Sequence, residues 1–293
     1  MFTLNCKGRL LSLEKPVVMG IINTTPDSFF TKGRTTEVNT AVDMAGKMLE
    51  NGAAIIDIGG QSTHPSSTLH SADEELERLM PILDSLVHAF PEIIISVDTF
   101  YAKVAAETIR AGASIINDIS GGNLDDNMIE TVGAMGNVPY VCMHMRGTPQ
   151  TMKTLAQYEN LTQEILDFFI QKTERCRAAG IKDVIVDPGF SFAKNLEQNY
   201  ELMRHLPDFR ILDKPILVGI SRKGMIYHPL GTNGEEALNG TTVVNTIALL
   251  NGANILRVHD VKEAREAVKL VEMYKRTSLR GGTTKQSHVS YFF

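Results

Sequence analysis

The chain has 293 residues, of which 43% are hydrophobic and 22% charged, with a formal net charge of −5. That is the profile of a globular protein with a large core; it argues against a broad nucleic-acid-binding surface and leaves room only for a small cationic pocket. Its three cysteines, Cys6, Cys142 and Cys176, stand far apart with no CxxC pair, so neither a disulfide framework nor a zinc site is expected and a reducing, cytoplasmic setting fits. Residues 1–15 include Lys7, Arg9, Glu14 and Lys15 and lack an apolar signal core, and no run approaches the ~18 apolar residues of a membrane span.

Along the chain, apolar runs and helical periodicities alternate. Residues 2–13 alternate apolar and polar positions around Gly8, which predicts a hairpin able to close the bottom of the fold. Residues 17–22 then read as a strand ending at Asn23, followed by a helix over 37–51. Strand 54–58, containing Asp57, runs into Gly59-Gly60-Gln61-Ser62-Thr63 and precedes a helix over 72–89 that Ser71-Ala72-Asp73-Glu74 opens as a capping box. Strands 93–97, ending at Asp98, and 114–116, ending at Asn117-Asp118, are followed by helices over 102–111 and 125–135. Strands 138–143, ending at His144, and 184–186, ending at Asp187, are followed by helices over 158–179 and 196–205. The last two strands, 216–220 into Ser221-Arg222-Lys223 and 253–256 into Arg257 and His259, precede helices over 235–250 and 261–274, the final one starting at Asp260. Gly52, Gly112, Gly180 and Gly252 each follow a predicted helix, where a C′ glycine is favoured. Residues 277–293 read as a mobile tail after a barrel unit of 1–276.

Eight strands that each end in polar residues predict a single (β/α)8 TIM barrel with an N-terminal hairpin, because only a barrel gathers all its strand ends on one face. A doubly wound open sheet would instead collect its ligand at one switch point.

Several chemistries are compatible with those ends. Arg257 and His259, two apart before a helix start, suit a phosphate, which barrels often bind after strands seven and eight; the alternative is a local ion pair and a helix cap. Asn23, followed by a turn-forming segment, offers an amide oxygen to Mg²⁺, which takes few protein ligands, or simply ends a turn. Asp98, Asn117 and Asp187 can receive the N–H edge of an amino-heterocycle, act in proton transfer or form a buried network. Lys223 can donate to a heterocycle or phosphate, or form a Schiff base. A two-carboxylate glycosidase finds no support in a chain without tryptophan to stack a sugar.

In order along the chain, Met19-Gly20-Ile21-Ile22-Asn23-Thr24-Thr25-Pro26-Asp27-Ser28-Phe29, Asp57-Ile58-Gly59-Gly60-Gln61-Ser62-Thr63, Ser96-Val97-Asp98-Thr99 and Ile116-Asn117-Asp118-Ile119-Ser120-Gly121-Gly122 resemble signatures of the dihydropteroate synthase family. So do Met143-His144-Met145-Arg146-Gly147-Thr148-Pro149, Asp187-Pro188-Gly189-Phe190, Ser221-Arg222-Lys223 and Arg257-Val258-His259-Asp260. The resemblance implies a homodimeric barrel that condenses 6-hydroxymethyl-7,8-dihydropterin pyrophosphate with p-aminobenzoate. It implies that Asp98, Asn117, Asp187 and Lys223 hold the pterin, and that Asn23, Arg257 and His259 hold pyrophosphate with Mg²⁺. Thr63, His64, Phe29, Phe192 and Ser221 would face p-aminobenzoate, with Phe190 and Met143 also in the substrate site. A pterin-dependent methyltransferase domain and a pterin-binding paralogue without turnover are the alternatives within the resemblance. One departure concerns the second loop: where the family usually reads Ser-Thr-Arg-Pro-Gly, this chain has Ser62-Thr63-His64-Pro65-Ser66, exchanging a fixed cation for a shorter, near-neutral side chain. That exchange is expected to alter affinity for p-aminobenzoate and its sulfonamide mimics.

Overall fold

The computed structural model describes residues 1–24, 34–61 and 69–278. Strands β1 (Thr3–Cys6) and β2 (Arg9–Ser12) form an antiparallel hairpin. Its turn places Lys7 and Gly8 at φ 53° and 94°, the left-handed pair that two-residue hairpins need. The barrel follows as β3 (Val17–Asn23), α1 (Arg34–Glu50), β4 (Ile55–Gly59), α2 (Ala72–Ala89), β5 (Ile95–Asp98), α3 (Ala102–Ala111), β6 (Ile115–Asp118) and α4 (Met128–Met135). It continues through β7 (Tyr140–Met143), α5 (Leu161–Ala178), β8 (Val184–Asp187), α6 (Leu196–Arg204), β9 (Leu217–Val218), α7 (Gly224–Leu230), α8 (Leu238–Leu250), β10 (Ile255–Val258) and α9 (Val261–Ser278). All barrel pairings are parallel, in the order β8-β7-β6-β5-β4-β3-β10-β9, and a bridge between Val186 and Ile216 closes the ring.

The expected hairpin closes the bottom of the barrel through specific bonds. Asn5 N donates to Asp183 Oδ2 (2.7 Å), Lys7 N to the Asn137 carbonyl (2.8 Å) and Arg9 Nη1 to the Ile93 carbonyl (3.1 Å), all in loops that lead into strands. Leu4, Cys6 and Leu13 then plug the apolar inner layer formed by Met19, Ile55, Ile115, Val141, Ile185, Leu217 and Ile255.

Period-2 alternation explains what lies on each side. Outward residues such as Val18, Ile56, Val97, Cys142, Val186 and Leu256 join the main core beneath the helices. One pleat above the inner apolar layer, the inward positions become Ile21, Asp57, Asn117, Met143, Asp187, Gly219 and Arg257, with Asp98 on β5. On β4, β6, β8 and β10 the change from an apolar tier to a polar one occurs within two residues.

The helices match the expected set with shifted starts. Asp125 lies outside α4 because its carboxylate receives the Ala102 N–H (2.8 Å) at the start of α3. Tyr158 lies before α5, its hydroxyl donating to the Ala193 carbonyl (3.0 Å), and Asn160 caps the helix instead. Glu235 is held before α8 by Asn233 Oδ1 and by Arg222, which reaches its carbonyl. The capping box at Ser71 and Glu74 is present. Short α7 has no counterpart in the expected set, and α9 runs on to Ser278. The rest of the expected tail lies outside the described residues. Among the described residues no helix is long and apolar enough to cross a membrane.

Candidate active site

A cavity of about 760 Å³ opens at the carboxyl ends of the strands, with Asn23, Asp98, Ser221, Lys223, Arg257 and His259 among its walls. Its floor is a knot of charges. Arg257 Nε donates to Asp57 Oδ2 (2.6 Å) and its Nη2 to Asp98 Oδ2 (2.7 Å), while Asn117 Nδ2 donates to the same Asp57 oxygen (3.1 Å). Asp57 is completely buried, and Asp98 faces the cavity.

Electrostatics follow from that burial. Burial raises Asp98 to about 7, with the nearby carboxylates of Asp57 and Asp118 adding to the rise and Arg257 opposing it. Arg257, although burial disfavours its charge, is held above its ordinary value by Asp57 and Asp98. Burial also raises Asp187, against the pull of Lys223, and its Oδ1 receives the Gly189 N–H (2.8 Å). Lys223 is lowered to about 8, chiefly by burial, with Asp187 opposing. Its Nζ donates to the Phe190 carbonyl (2.8 Å) and lies 4.6 Å from the centre of the Phe192 ring.

Gly219 occupies the inward position above Leu217. A Cβ there would stand 3.8 Å from Arg257 and 4.0 Å from Asp187 Oδ2, so the missing side chain leaves a slot between a cation and a carboxylate. The slot suits a flat polar ligand.

The sequence-derived site residues divide by position. Asp98, Lys223, Arg257, His259, Asn23, Ser221 and Phe192 line the cavity. Asn117 and Asp187 are buried around its floor. Met143 sits in an apolar cluster with Phe100, Ile119, Met145, Met152 and Phe192. Phe190 is a correction: its ring is wholly buried in the core outside the barrel, and its carbonyl alone meets the site through Lys223. The left-handed backbone at Gly189 (φ 73°) and Ser191 (φ 69°) accompanies that turn of the chain, which sequence alternation does not anticipate. Phe29, Thr63 and His64 lie outside the described residues.

His259 is neutral in the ligand-free site at pH 7, because burial, reinforced by Arg257, lowers it to about 4. Its Nδ1 lies 3.1 Å from Ser221 Oγ. His144 and Arg146 serve the scaffold: His144 meets Lys194, and Arg146 pairs with Glu164 and stacks 3.8 Å over Tyr158.

Two charged groups at the cavity carry no signal of their own in the motifs. Asp57 is reached by counting inward positions from Ile55, which places it beside the cavity. Lys194 lines the cavity through a loop conformation that no sequence pattern announces.

A closed barrel whose strand-end tier combines carboxylates, an amide and cations around a slot defines an enzyme for a small, flat, polar substrate. The sequence profile of pterin binding enzymes matches residues 19–259. Dihydropteroate synthase of Escherichia coli strain K12 is 42% identical over 268 residues, covering 91% of this chain and 94% of that protein. The Yersinia pestis dihydropteroate synthase, solved as a sulfonamide drug complex, superposes with a TM-score of 0.88 at 40% identity, covering 94% of this chain and 100% of that one. The Xanthomonas albilineans enzyme in complex with 7,8-dihydropteroate gives 0.82 at 32% identity, covering 93% and 98%. The chain belongs to the pterin binding enzyme family, and within it to the dihydropteroate synthases.

Proposed function

We propose that this site joins 6-hydroxymethyl-7,8-dihydropterin pyrophosphate to p-aminobenzoate, releasing pyrophosphate and forming 7,8-dihydropteroate for folate synthesis. The observation that carries the reading is the polar tier, where Asp57, Asp98, Asn117, Asp187 and Arg257 converge from five strands one pleat above an apolar layer.

Asp98 and Asp187 accept the N–H edge of the pterin, and Lys223 donates to its ring. The bond between the pterin methylene and the pyrophosphate oxygen breaks first, the electron pair leaving with pyrophosphate. Arg257 supplies positive charge beside the departing group and the neutral imidazole of His259 a hydrogen bond, while buried carboxylates stabilise the pterin cation. The aniline nitrogen then forms the new bond and loses its proton to solvent. This route needs no covalent enzyme intermediate and no nucleophile-base pair, in keeping with a site built of binding groups.

Asn23 fits a role in holding Mg²⁺, because its amide is exposed in the cavity that also presents His259 and Ser221. The described residues contain no group of three or more His, Cys, Asp or Glu side chains placed for a metal, so an ion here would complete its shell from pyrophosphate and water. When bound, it would neutralise charge on the leaving group. A homodimer is supported by the exposed apolar residues Val243, Ile247 and Leu250, along one stripe of α8, together with exposed Leu270 on α9, which packs against α8. The three free, buried cysteines support a cytoplasmic setting.

The test is turnover of the full chain with both substrates, with Mg²⁺ and with EDTA. Pyrophosphate release that depends on p-aminobenzoate is expected; tight pterin binding without release would overturn the assignment, and full activity in EDTA would remove the metal from it.

A further inference from the structure

The loop over residues 188–195, between β8 and α6, places left-handed residues at alternate positions, with Gly189 at φ 73°, Ser191 at 69° and Ala193 at 48°. Two of these are not glycine and adopt a conformation that L side chains disfavour. Such a conformation persists where surrounding contacts impose it. Here the contacts centre on Lys194, a buried side chain on the cavity wall. Its Nζ donates to the carbonyls of Gly189 (3.0 Å) and Phe192 (3.0 Å), and lies 3.1 Å from His144 Nδ1. The amino group thus meets three polar partners, two carbonyls that accept from it and an imidazole nitrogen whose role follows the ring tautomer.

The neighbouring carbonyls are also taken by side chains. Lys223 donates to Phe190, Tyr158 to Ala193 (3.0 Å), and Asn199 Nδ2 to Lys194 (3.3 Å) and Asn195 (2.6 Å). Gly189 is pressed so closely on β7 that a Cβ would come within 2.0 Å of the His144 carbonyl. Between left-handed Ser191 and Ala193 stands Phe192, whose ring lines the cavity and meets Lys223.

We propose that Lys194 is a positioning residue for p-aminobenzoate: its amino group gathers the loop carbonyls around itself and so sets the Phe192 ring against Lys223, forming one wall of the second-substrate site. The inference rests on the dihydropteroate synthase reading. Lys194 acts through Phe192 and Lys223 and takes no part in bond breaking. Of the groups assigned to the pterin, Asp57, Asp98 and Asn117 lie on β4, β5 and β6, away from this loop, whereas Asp187 and Lys223 each keep one hydrogen bond to it, so removal of Lys194 should weaken the second substrate more than the first.

The experiment compares the full-length wild type with Lys194→Ala, measuring p-aminobenzoate-dependent pyrophosphate release and, separately, calorimetric binding of the pterin substrate. The KM for p-aminobenzoate should rise roughly tenfold while pterin affinity changes less than about threefold, the expected split for lost positioning of one substrate. Added propylammonium, which replaces the deleted ammonium arm, should bring that KM back towards the wild-type value. An unchanged KM in the folded variant would overturn the proposal, as would an equal loss of affinity for both substrates with no response to propylammonium. If Lys194→Ala does not fold, Lys194→Gln and Tyr158→Phe decide instead. Each should raise the same KM by about two- to tenfold, and no rise in either sinks the idea. A wild type without turnover would refute the functional reading itself, a result distinct from all of these.

Discussion

Arg257 and Asp57, 200 residues apart in sequence, meet at 2.6 Å in the middle of the barrel, and Asp57 has no exposed surface. The pair draws β4 and β10 together beneath the cavity and gives Asp98 and Asn117 a common anchor. Removing Asp57 leaves the buried Arg257 with Asp98 as its one remaining ion-pair partner among the described residues and takes the acceptor from Asn117 Nδ2, so Asp57→Ala should lower stability by about 3 kcal/mol. Urea unfolding checks this, and a change below about 1 kcal/mol would mean that the pair contributes little to the fold.

The slot at Gly219 predicts a variant that is stable but impaired. Gly219→Ala would bring its new methyl only to ordinary contact distance of Arg257 and Asp187. Stability should change by no more than ~0.5 kcal/mol, while pterin affinity falls roughly tenfold or more as the methyl fills ligand space. Calorimetric titration of pterin, paired with a melting curve, tests both halves.

The pH dependence follows from Asp98 at about 7 and Lys223 at about 8. A pterin N–H edge requires ionised Asp98, and donation to the ring favours charged Lys223, so kcat/KM should rise with pH through about 7 and fall above about 8. His259, lowered to about 4, adds no limb in this window. Stability has the opposite slope on the acidic side. Because Asp98 binds its proton more tightly folded than unfolded, its contribution is fully present below the unfolded value of 3.8 and is lost as pH rises through about 7. In Asp98→Asn, the rising limb of the residual activity profile should disappear; a limb still centred near 7 would assign it to another group.

The departure at His64 predicts a gain. His64→Arg restores a fixed, forked cation and should lower the KM for p-aminobenzoate about tenfold, the effect of one charge-assisted hydrogen bond. Inhibition by a sulfonamide should strengthen in parallel. Steady-state kinetics with unchanged constants for both would show that this position does not face the second substrate.

For assembly, Leu270→Glu places a charge within the proposed apolar face of α8 and α9. Analytical ultracentrifugation should find a dimer in the wild type and a weakened one in the variant; a monomeric wild type at micromolar concentration would refute the homodimer.

Most of the architecture was legible because its signals are local. Alternation separates the tier of Met19, Ile55 and Ile255 from the outward Val18, Ile56 and Leu256, and the polar strand ends announce the face that binds ligand. Ser71 and Glu74 fix the start of α2 through bonds within four residues. The sequence by itself thus determined the barrel, its closing hairpin and nearly all the strand ends that meet at the cavity. Tertiary structure decided which of those groups are bound to each other and in what charge state. Arg257 lies on two carboxylates from β4 and β5, His259 is neutral, Phe190 turns into the outer core and Lys194 gathers carbonyls from its own loop. These outcomes depend on burial, on distances between residues remote in sequence and on left-handed backbone at Ser191 and Ala193, none of which is a local property of the chain.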